Sequence, residues 1–266
     1  MTDLYQIDGL QLSLPDMTRK PLLGAAPRIE ILKGLSFSIP KGQVLGIVGG
    51  SGSGKSTLGR AMVRLLEPTA GSILFDGQDI THLGEDALRP LRRRFQMIFQ
   101  DPMSSLNPRH RTLQIIAGPL ALHGMADVRA RSLEALDLVG LPRAFASRYP
   151  HELSGGQRQR IGIARAIALR PEFILADEIV SGLDVSSQAQ VLTLLATLVR
   201  DLGLTLAFIS HDLSVIRRLC DRVLVLHQGQ IVENADVAQL FDAPQAEYTR
   251  ALLDAIPLPD PDQIWA

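Results

Sequence analysis

The run Gly49-Gly50-Ser51-Gly52-Ser53-Gly54-Lys55-Ser56 carries the chemistry needed to grip a polyphosphate. Glycines at 49, 52 and 54 free the backbone to turn successive N–H groups inward, and a helix starting behind them would aim its positive end at the same point. Lys55 supplies a point charge for β- and γ-phosphates, the Ser56 hydroxyl can ligate Mg2+, and Thr57 adds a further contact. Gly49, Ser51, Gly52, Ser53, Gly54, Lys55, Ser56 and Thr57 are therefore the candidate phosphate-binding set. The bland alternative is a flexible Gly/Ser turn, and the pattern by itself leaves kinases, GTPases and many ATPases open.

A second group is Asp177-Glu178, at the end of the apolar run Phe173-Ile174-Leu175-Ala176. Asp177 would hold Mg2+ through water beside Ser56, and Glu178 would polarise an attacking water. Two acids after a strand are more often a helix start, but the phosphate loop upstream favours catalysis. A third group is Leu153-Ser154-Gly155-Gly156-Gln157. Ser154 can cap a helix whose first N–H groups lack partners, and the glycines leave those groups open to a phosphate. Alone, this pentapeptide reads equally as a plain helix cap.

These residues need elements to hold them. Val44 to Val48 reads as a strand, followed by the glycine loop and a helix over Lys55 to Leu66. Buried-strand patterns recur at Gln96 to Phe99, Phe173 to Ala176, Thr205 to Ile209 and Val223 to Leu226, mostly separated by helical patterns, as in a parallel α/β core. A helical insert is expected between Pro102 and Tyr149, with helices at Thr112 to His123 and Val128 to Val139, and another helix over Gln157 to Leu169. Tyr5 to Leu14, Ile29 to Ile39 and Gly71 to Asp76 read as antiparallel strands, the first pair joined by a loop from Pro15 to Arg28. Arg89, Arg92, Arg93 and Arg94 read as a solvated helix face, with a partner or lipid-headgroup contact as the alternative.

The sequence has 266 residues, 46% of them hydrophobic, enough for a sizeable core in an ordinary globular fold. A net charge of −1 gives no long-range pull toward nucleic acid or anionic lipid. Cys220 is the single cysteine, so no internal disulfide or cysteine-rich metal site can be built, and a reducing, cytosolic compartment fits. No apolar run reaches the roughly 18 residues that span a bilayer. Met1-Thr2-Asp3-Leu4 lacks a basic region leading into an apolar one. Work at a membrane would require a partner.

Taken together and in this order, the phosphate loop and Leu153–Gln157 resemble the nucleotide-binding subunit of ATP-binding-cassette (ABC) transporters. That resemblance implies one α/β P-loop NTPase domain over 1–266, an ABC cassette. Its RecA-like core and antiparallel β subdomain would take 1–100 and 158–240, its helical subdomain with the signature motif 101–157, and its C-terminal extension 241–266. In the family the signature closes on ATP held by a second subunit, which makes Ser154, Gly155, Gly156 and Gln157 nucleotide contacts of the neighbour. Gln100 matches the glutamine loop that senses Mg2+, His211 the switch histidine at the γ-phosphate, and Asp184 of Ser181-Gly182-Leu183-Asp184 the loop that crosses the dimer interface. On their own, Gln100 and His211 would be bland. The implied cofactors are ATP and Mg2+, with Glu178, His211 and Gln100 catalytic and Ser56, Gln100 and Asp177 at the metal. The chain departs from the family at Ile179, where proline is usual, and at Leu14, where an aromatic stacks on adenine; Tyr5 lies nine positions too early to replace it.

Nearly the whole chain is similar to the ATPase subunits of peptide/nickel importers, second-ATPase type. The similarity is carried by Met97-Ile98-Phe99-Gln100-Asp101-Pro102-Met103-Ser104-Ser105-Leu106-Asn107-Pro108-Arg109, by Arg148 to Gln157, and by Tyr248-Thr249-Arg250-Ala251-Leu252-Leu253 leading into Ile256-Pro257-Leu258-Pro259-Asp260-Pro261-Asp262. It implies an assembly of a second, homologous ATPase subunit, two transmembrane permease subunits and an extracytoplasmic solute-binding protein, with this chain peripheral on the cytoplasmic face of the bacterial inner membrane. An exporter ATPase, a soluble ABC protein acting on DNA or ribosomes, and a P-loop kinase are the rival readings. The long heptad coiled coil or second cassette of the soluble class is not seen.

Overall fold

The computed structural model describes residues 2–21 and 24–255. The chain begins with β1 (Asp3–Pro15) and β2 (Arg28–Pro40), then β3 (Val44–Val48), α1 (Lys55–Met62), β4 (Ala70–Phe75), β5 (Gln78–Asp79), α2 (Glu85–Leu88) and β6 (Phe95–Ile98). Helices α3 (Pro102–Ser105), α4 (Thr112–Leu122), α5 (Val128–Leu138) and α6 (Gly155–Ile167) follow. Strands and helices then alternate as β7 (Phe173–Asp177), α7 (Val185–Leu202), β8 (Thr205–Ile209), α8 (Leu213–Leu219) and β9 (Arg222–His227), before β10 (Gln230–Asp236), α9 (Val237–Asp242) and α10 (Glu247–Asp254).

Two sheets result. β2-β1-β4-β5 is antiparallel, with Tyr5 opposite Ile39 on one side and Phe75 on the other. In the second sheet, β10-β9-β3-β8-β7-β6, every pair is parallel except β10 with β9. β3, β7 and β8 are buried along their whole length, as expected of aliphatic runs in a sheet covered on both faces. The C-terminal ends of β3, β7 and β8 lead directly into the phosphate loop, into Glu178 and into His211, so the parallel sheet delivers the candidate site at one edge.

The helical pattern between β6 and β7 forms as expected. α4, α5 and α6 pack on one another, and α6 also packs on β6 and α7. Helix α6 thus starts inside the expected 101–157 segment and runs on into the core.

Several boundaries differ from expectation. α1 stops at Met62 rather than Leu66, because Arg64 takes a left-handed conformation (φ 54°) and donates to the carbonyls of Ile80, Leu66 and Leu83. The signature helix begins at Gly155 and ends at Ile167. The arginine cluster is solvated only in part: Arg89 and Arg93 are exposed, whereas Arg92 and Arg94 are half-buried and paired. Arg92 donates to Glu85 at 2.7 Å and to the carbonyls of Val63 and Arg64, while Arg94 bridges Asp76 at 2.6 Å and Glu172 at 2.9 Å. The segment from Ile256, including the expected Ile256–Asp262 motif, lies outside the described residues.

Candidate active site

β3 ends at Val48 and the chain turns sharply against β9: a Cβ on Gly49 would lie 2.1 Å from the Leu226 carbonyl oxygen, so only glycine fits there. Gly54, left-handed at φ 105°, opens α1, and its carbonyl accepts from the Leu58 N–H. Lys55, only 7% exposed, donates to the carbonyls of Gly49 at 2.8 Å and Gly50 at 2.9 Å. Burial lowers its pKa, opposed by Glu178 and Asp177. Phosphate oxygens are stronger acceptors than carbonyls and would draw this ammonium toward a ligand. Among the described residues Ser53 Oγ is buried with no hydrogen-bond partner, a polar orphan in the same loop.

Ser56 Oγ donates to Asp177 Oδ1 at 3.1 Å, joining the start of α1 to the end of β7. Burial raises the Asp177 pKa, with the Ser56 hydrogen bond working against it. A hydroxyl and one carboxylate are hard oxygen donors suited to Mg2+, which keeps waters and takes phosphate oxygens rather than needing a full protein cage. The described residues contain no cluster of three or more His, Cys, Asp or Glu placed to hold a metal ion.

Glu178 follows in a left-handed conformation (φ 49°), a sparsely populated state for a non-glycine residue. Its N–H donates to Ile209 O at 3.0 Å, extending the β7–β8 ladder, and Ile179 behind it is 1% exposed in the core. Burial of Ile179 thus anchors the turn at the position where proline was expected. Gln100 Nε2 donates to Glu178 Oε2 at 3.1 Å, and His211 Nδ1 stands 3.5 Å from the same oxygen. A hollow of about 520 Å³ opens here, lined by Ser51 to Thr57, Glu178, His211 and Ile31, with Asp177 and Gln100 bonded to its lining residues Ser56 and Glu178. The structure therefore brings together Gly49 to Thr57, Gln100, Asp177, Glu178 and His211.

It does not bring Ser154 to Gln157 or Asp184 into that hollow. Ser154 Oγ accepts from the Gln157 N–H at 3.3 Å while Gln157 Oε1 accepts from the Ser154 N–H at 3.0 Å, a reciprocal cap on α6. A separate hollow of about 400 Å³ opens there, lined by Ser154, Gly156, Gln157, Phe145, Arg160 and Gln190 among others. Asp184 caps α7, accepting from the Ser187 N–H at 2.9 Å and the Ser187 hydroxyl at 2.7 Å.

Leu14 is half-buried against the β-subdomain core. Tyr5 is fully buried, its ring 5.1 Å from Phe75 and 4.5 Å from Phe173 and its hydroxyl donating to Met62 O, so it offers no platform for a base. Sequence reasoning missed Ile31, an aliphatic wall of the hollow; alternation along β2 with buried Leu32 was the available signal. It also missed Tyr248, whose hydroxyl reaches the phosphate loop from α10.

Comparison with known proteins agrees with this geometry. The family profile described as "ABC transporter" matches residues 32–181. A putative peptide import ATP-binding protein of Brucella ovis is 52% identical over 92% of this chain and 82% of its own length. The oligopeptide transport ATP-binding proteins AppF and OppF of Bacillus subtilis are 53% and 50% identical, over 86% and 88% of this chain and 71% and 78% of their own lengths. Among solved structures, the dimeric post-hydrolysis state of the ATP-binding cassette MJ0796 bound to ADP and Pi superposes with a TM-score of 0.76 at 30% identity, covering 88% of this chain and 98% of that one. CbiO1 of Clostridium perfringens, part of the ABC transporter complex cbiONQ, gives 0.79 at 26% identity, over 91% of this chain and 92% of that one.

Proposed function

The chain belongs to the ABC transporter family, and from that membership and the geometry of its site we propose that it is the ATP-hydrolysing subunit of a membrane importer for peptides. The observation that carries the reading is the convergence of Lys55, Ser56, Glu178 and His211 on one hollow at the edge of the parallel sheet, with Asp177 bonded to Ser56 and Gln100 to Glu178.

The loop amides and the Lys55 ammonium hold the triphosphate of ATP. Glu178 takes a proton from a water as its oxygen bonds to the γ-phosphorus, and the bond to the β–γ bridging oxygen breaks, leaving ADP and phosphate. Gln100 and His211 orient the Glu178 carboxylate and the attacked phosphoryl group. Ser56 and Asp177, with Gln100 nearby, would hold Mg2+, which would supply charge neutralisation on the phosphates.

The second subunit's Ser154–Gln157 equivalent closes over this ATP, and the signature of this chain closes over the neighbour's, so the nucleotide lies between two ATPase subunits, which form a homologous heterodimer. Two permeases carry the peptide, receiving it from an extracytoplasmic binding protein, and the ATPase works at the cytoplasmic face of a bacterial inner membrane. No helix among the described residues is long and apolar enough to cross a membrane, which leaves translocation to those partners. The subdivision proposed is a core with β subdomain over 1–100 and 158–240, a helical subdomain over 101–157, and a C-terminal extension from 241.

The test is phosphate release by the chain purified with its permeases. Peptide-loaded binding protein is expected to stimulate hydrolysis. A rate indifferent to every loaded binding protein, or transfer of phosphate to an acceptor other than water, rejects the reading.

A further inference from the structure

α10 is tied to the phosphate loop by a contact that none of the nucleotide-site residues above requires. The Gly50 N–H donates to Tyr248 Oη at 2.8 Å across 198 positions of sequence. The same Gly50 residue gives its carbonyl to the Lys55 ammonium at 2.9 Å and to the Ser53 N–H at 3.3 Å. Gly50 is thus held from both ends, by the phenol on one side and by the loop's own cation on the other.

The phenol is itself firmly placed. Glu233, buried on β10, accepts from the N–H groups of Gln245 and Ala246 at 2.9 and 3.0 Å, which fixes the start of α10. The Tyr248 ring lies on His227 at the end of β9, with centroids 3.9 Å apart. A line of contacts therefore runs from the β9–β10 hairpin through α10 to the loop.

Gly50 also differs from the other loop glycines. Gly49, Gly52 and Gly54 have positive φ, whereas Gly50 does not, so its backbone tolerates a side chain. What a Cβ there would meet is Tyr248 Oη at 2.9 Å, and nothing else among the described residues lies within 4 Å. A methyl at position 50 would therefore press on the phenol oxygen.

We propose that Tyr248 is a positioning residue of the ATP site: its hydroxyl fixes the Gly50 amide, keeps the loop in its phosphate-ready shape, and crowds a side chain at position 50. This rests on the reading of the loop as the cradle of ATP. The residue touches no phosphate and acts only through the loop backbone.

The test compares the full chain with Y248F, G50A and the G50A/Y248F double variant, by calorimetric titration with ATP and by hydrogen exchange of the Gly50 amide without nucleotide. Y248F keeps the ring on His227 and loses one hydrogen bond, so ATP affinity is expected to fall about 3- to 10-fold. Exchange at Gly50 is expected to accelerate while the amides of Glu247–Asp254 keep their protection. G50A is expected to bind ATP more weakly than the parent chain, and adding Y248F to it should restore part of that loss by removing the atom the new methyl meets. A purely structural role for α10 predicts the opposite, two losses that accumulate. Parent-like ATP affinity or Gly50 exchange in Y248F, or a double variant no tighter than G50A, overturns the proposal. Should the unaltered chain fail to bind ATP, it is the reading of the loop that fails, and Gly50 exchange still decides the contact.

Discussion

Gln100 and Glu178, 78 positions apart in sequence, meet through a 3.1 Å hydrogen bond from the Gln100 amide to a carboxylate oxygen of Glu178. The bond links the segments that leave β6 and β7, so the proposed base is held by the loop that follows a neighbouring strand. Glu178→Gln keeps the shape and the hydrogen bond but has no carboxylate to take a proton. Hydrolysis in the assembled complex is expected to fall about 100- to 10,000-fold, with ATP affinity within about threefold of the parent. Rates of phosphate release alongside equilibrium binding check it, and unchanged turnover removes Glu178 from the base role.

Lys55→Ala deletes the ammonium that bridges Gly49 and Gly50. ATP affinity should fall by at least tenfold, about 1.5–3 kcal/mol for a lost charged hydrogen bond. At ATP concentrations about 100 times the parent Kd, the parent gains about 2.7 kcal/mol of stability and the variant far less, so thermal melts with and without ATP report the loss. An ATP-induced shift equal to the parent's contradicts the assignment.

Asp177 has a pKa raised by burial, so the folded chain holds the proton on this carboxyl more tightly than the unfolded chain does. Stability contributed by the group therefore declines as pH rises through the carboxylate range, and the penalty is complete above the raised value. Asp177→Asn can still accept from Ser56 but carries no charge to bury. Without nucleotide it should be more stable than the parent at neutral pH by on the order of 1 kcal/mol, with the gap closing in acid, while Mg2+-dependent hydrolysis is lost. Denaturant melts across pH settle the sign.

Arg94→Ala removes the guanidinium that joins Asp76, just after β4, to Glu172, just before β7, and lies 4.8 Å over the Phe75 ring. A loss of about 1–2 kcal/mol in chemical denaturation is expected, because two partly exposed carboxylates lose a shared partner. Hydrogen bonds from Lys41 and Arg94 depress the Asp76 pKa, so the stability it contributes is present above the ordinary carboxylate value and disappears as pH falls through the depressed one. The variant should accordingly show a shallower acid limb than the parent.

What could be read from sequence follows physical range. The phosphate loop and Asp177-Glu178 were legible because glycine spacing and an apolar run ending in acids have meaning within a few residues. The end of α1 was not, since Val63, Leu65 and Leu66 continue the apolar pattern while the acceptors that pull Arg64 out of the helix include Ile80 and Leu83. Arg92 and Arg94 looked solvated because their partners Glu85, Asp76 and Glu172 are marked by nothing local. Tyr248 lies farthest from its partner, and no pattern near position 248 points to Gly50.

The phosphate-loop hollow and the Ser154 hollow share no lining residue. In the head-to-tail pair proposed above, injury therefore does not stay with the chain that carries it. One lesion at Lys55 in the first chain and one at Ser154 in the second fall in the same chamber and leave the other chamber whole; both lesions in one chain spoil both chambers. Ordinary complementation is inverted here: two damaged genes sustain more function than one doubly damaged gene beside an intact sister.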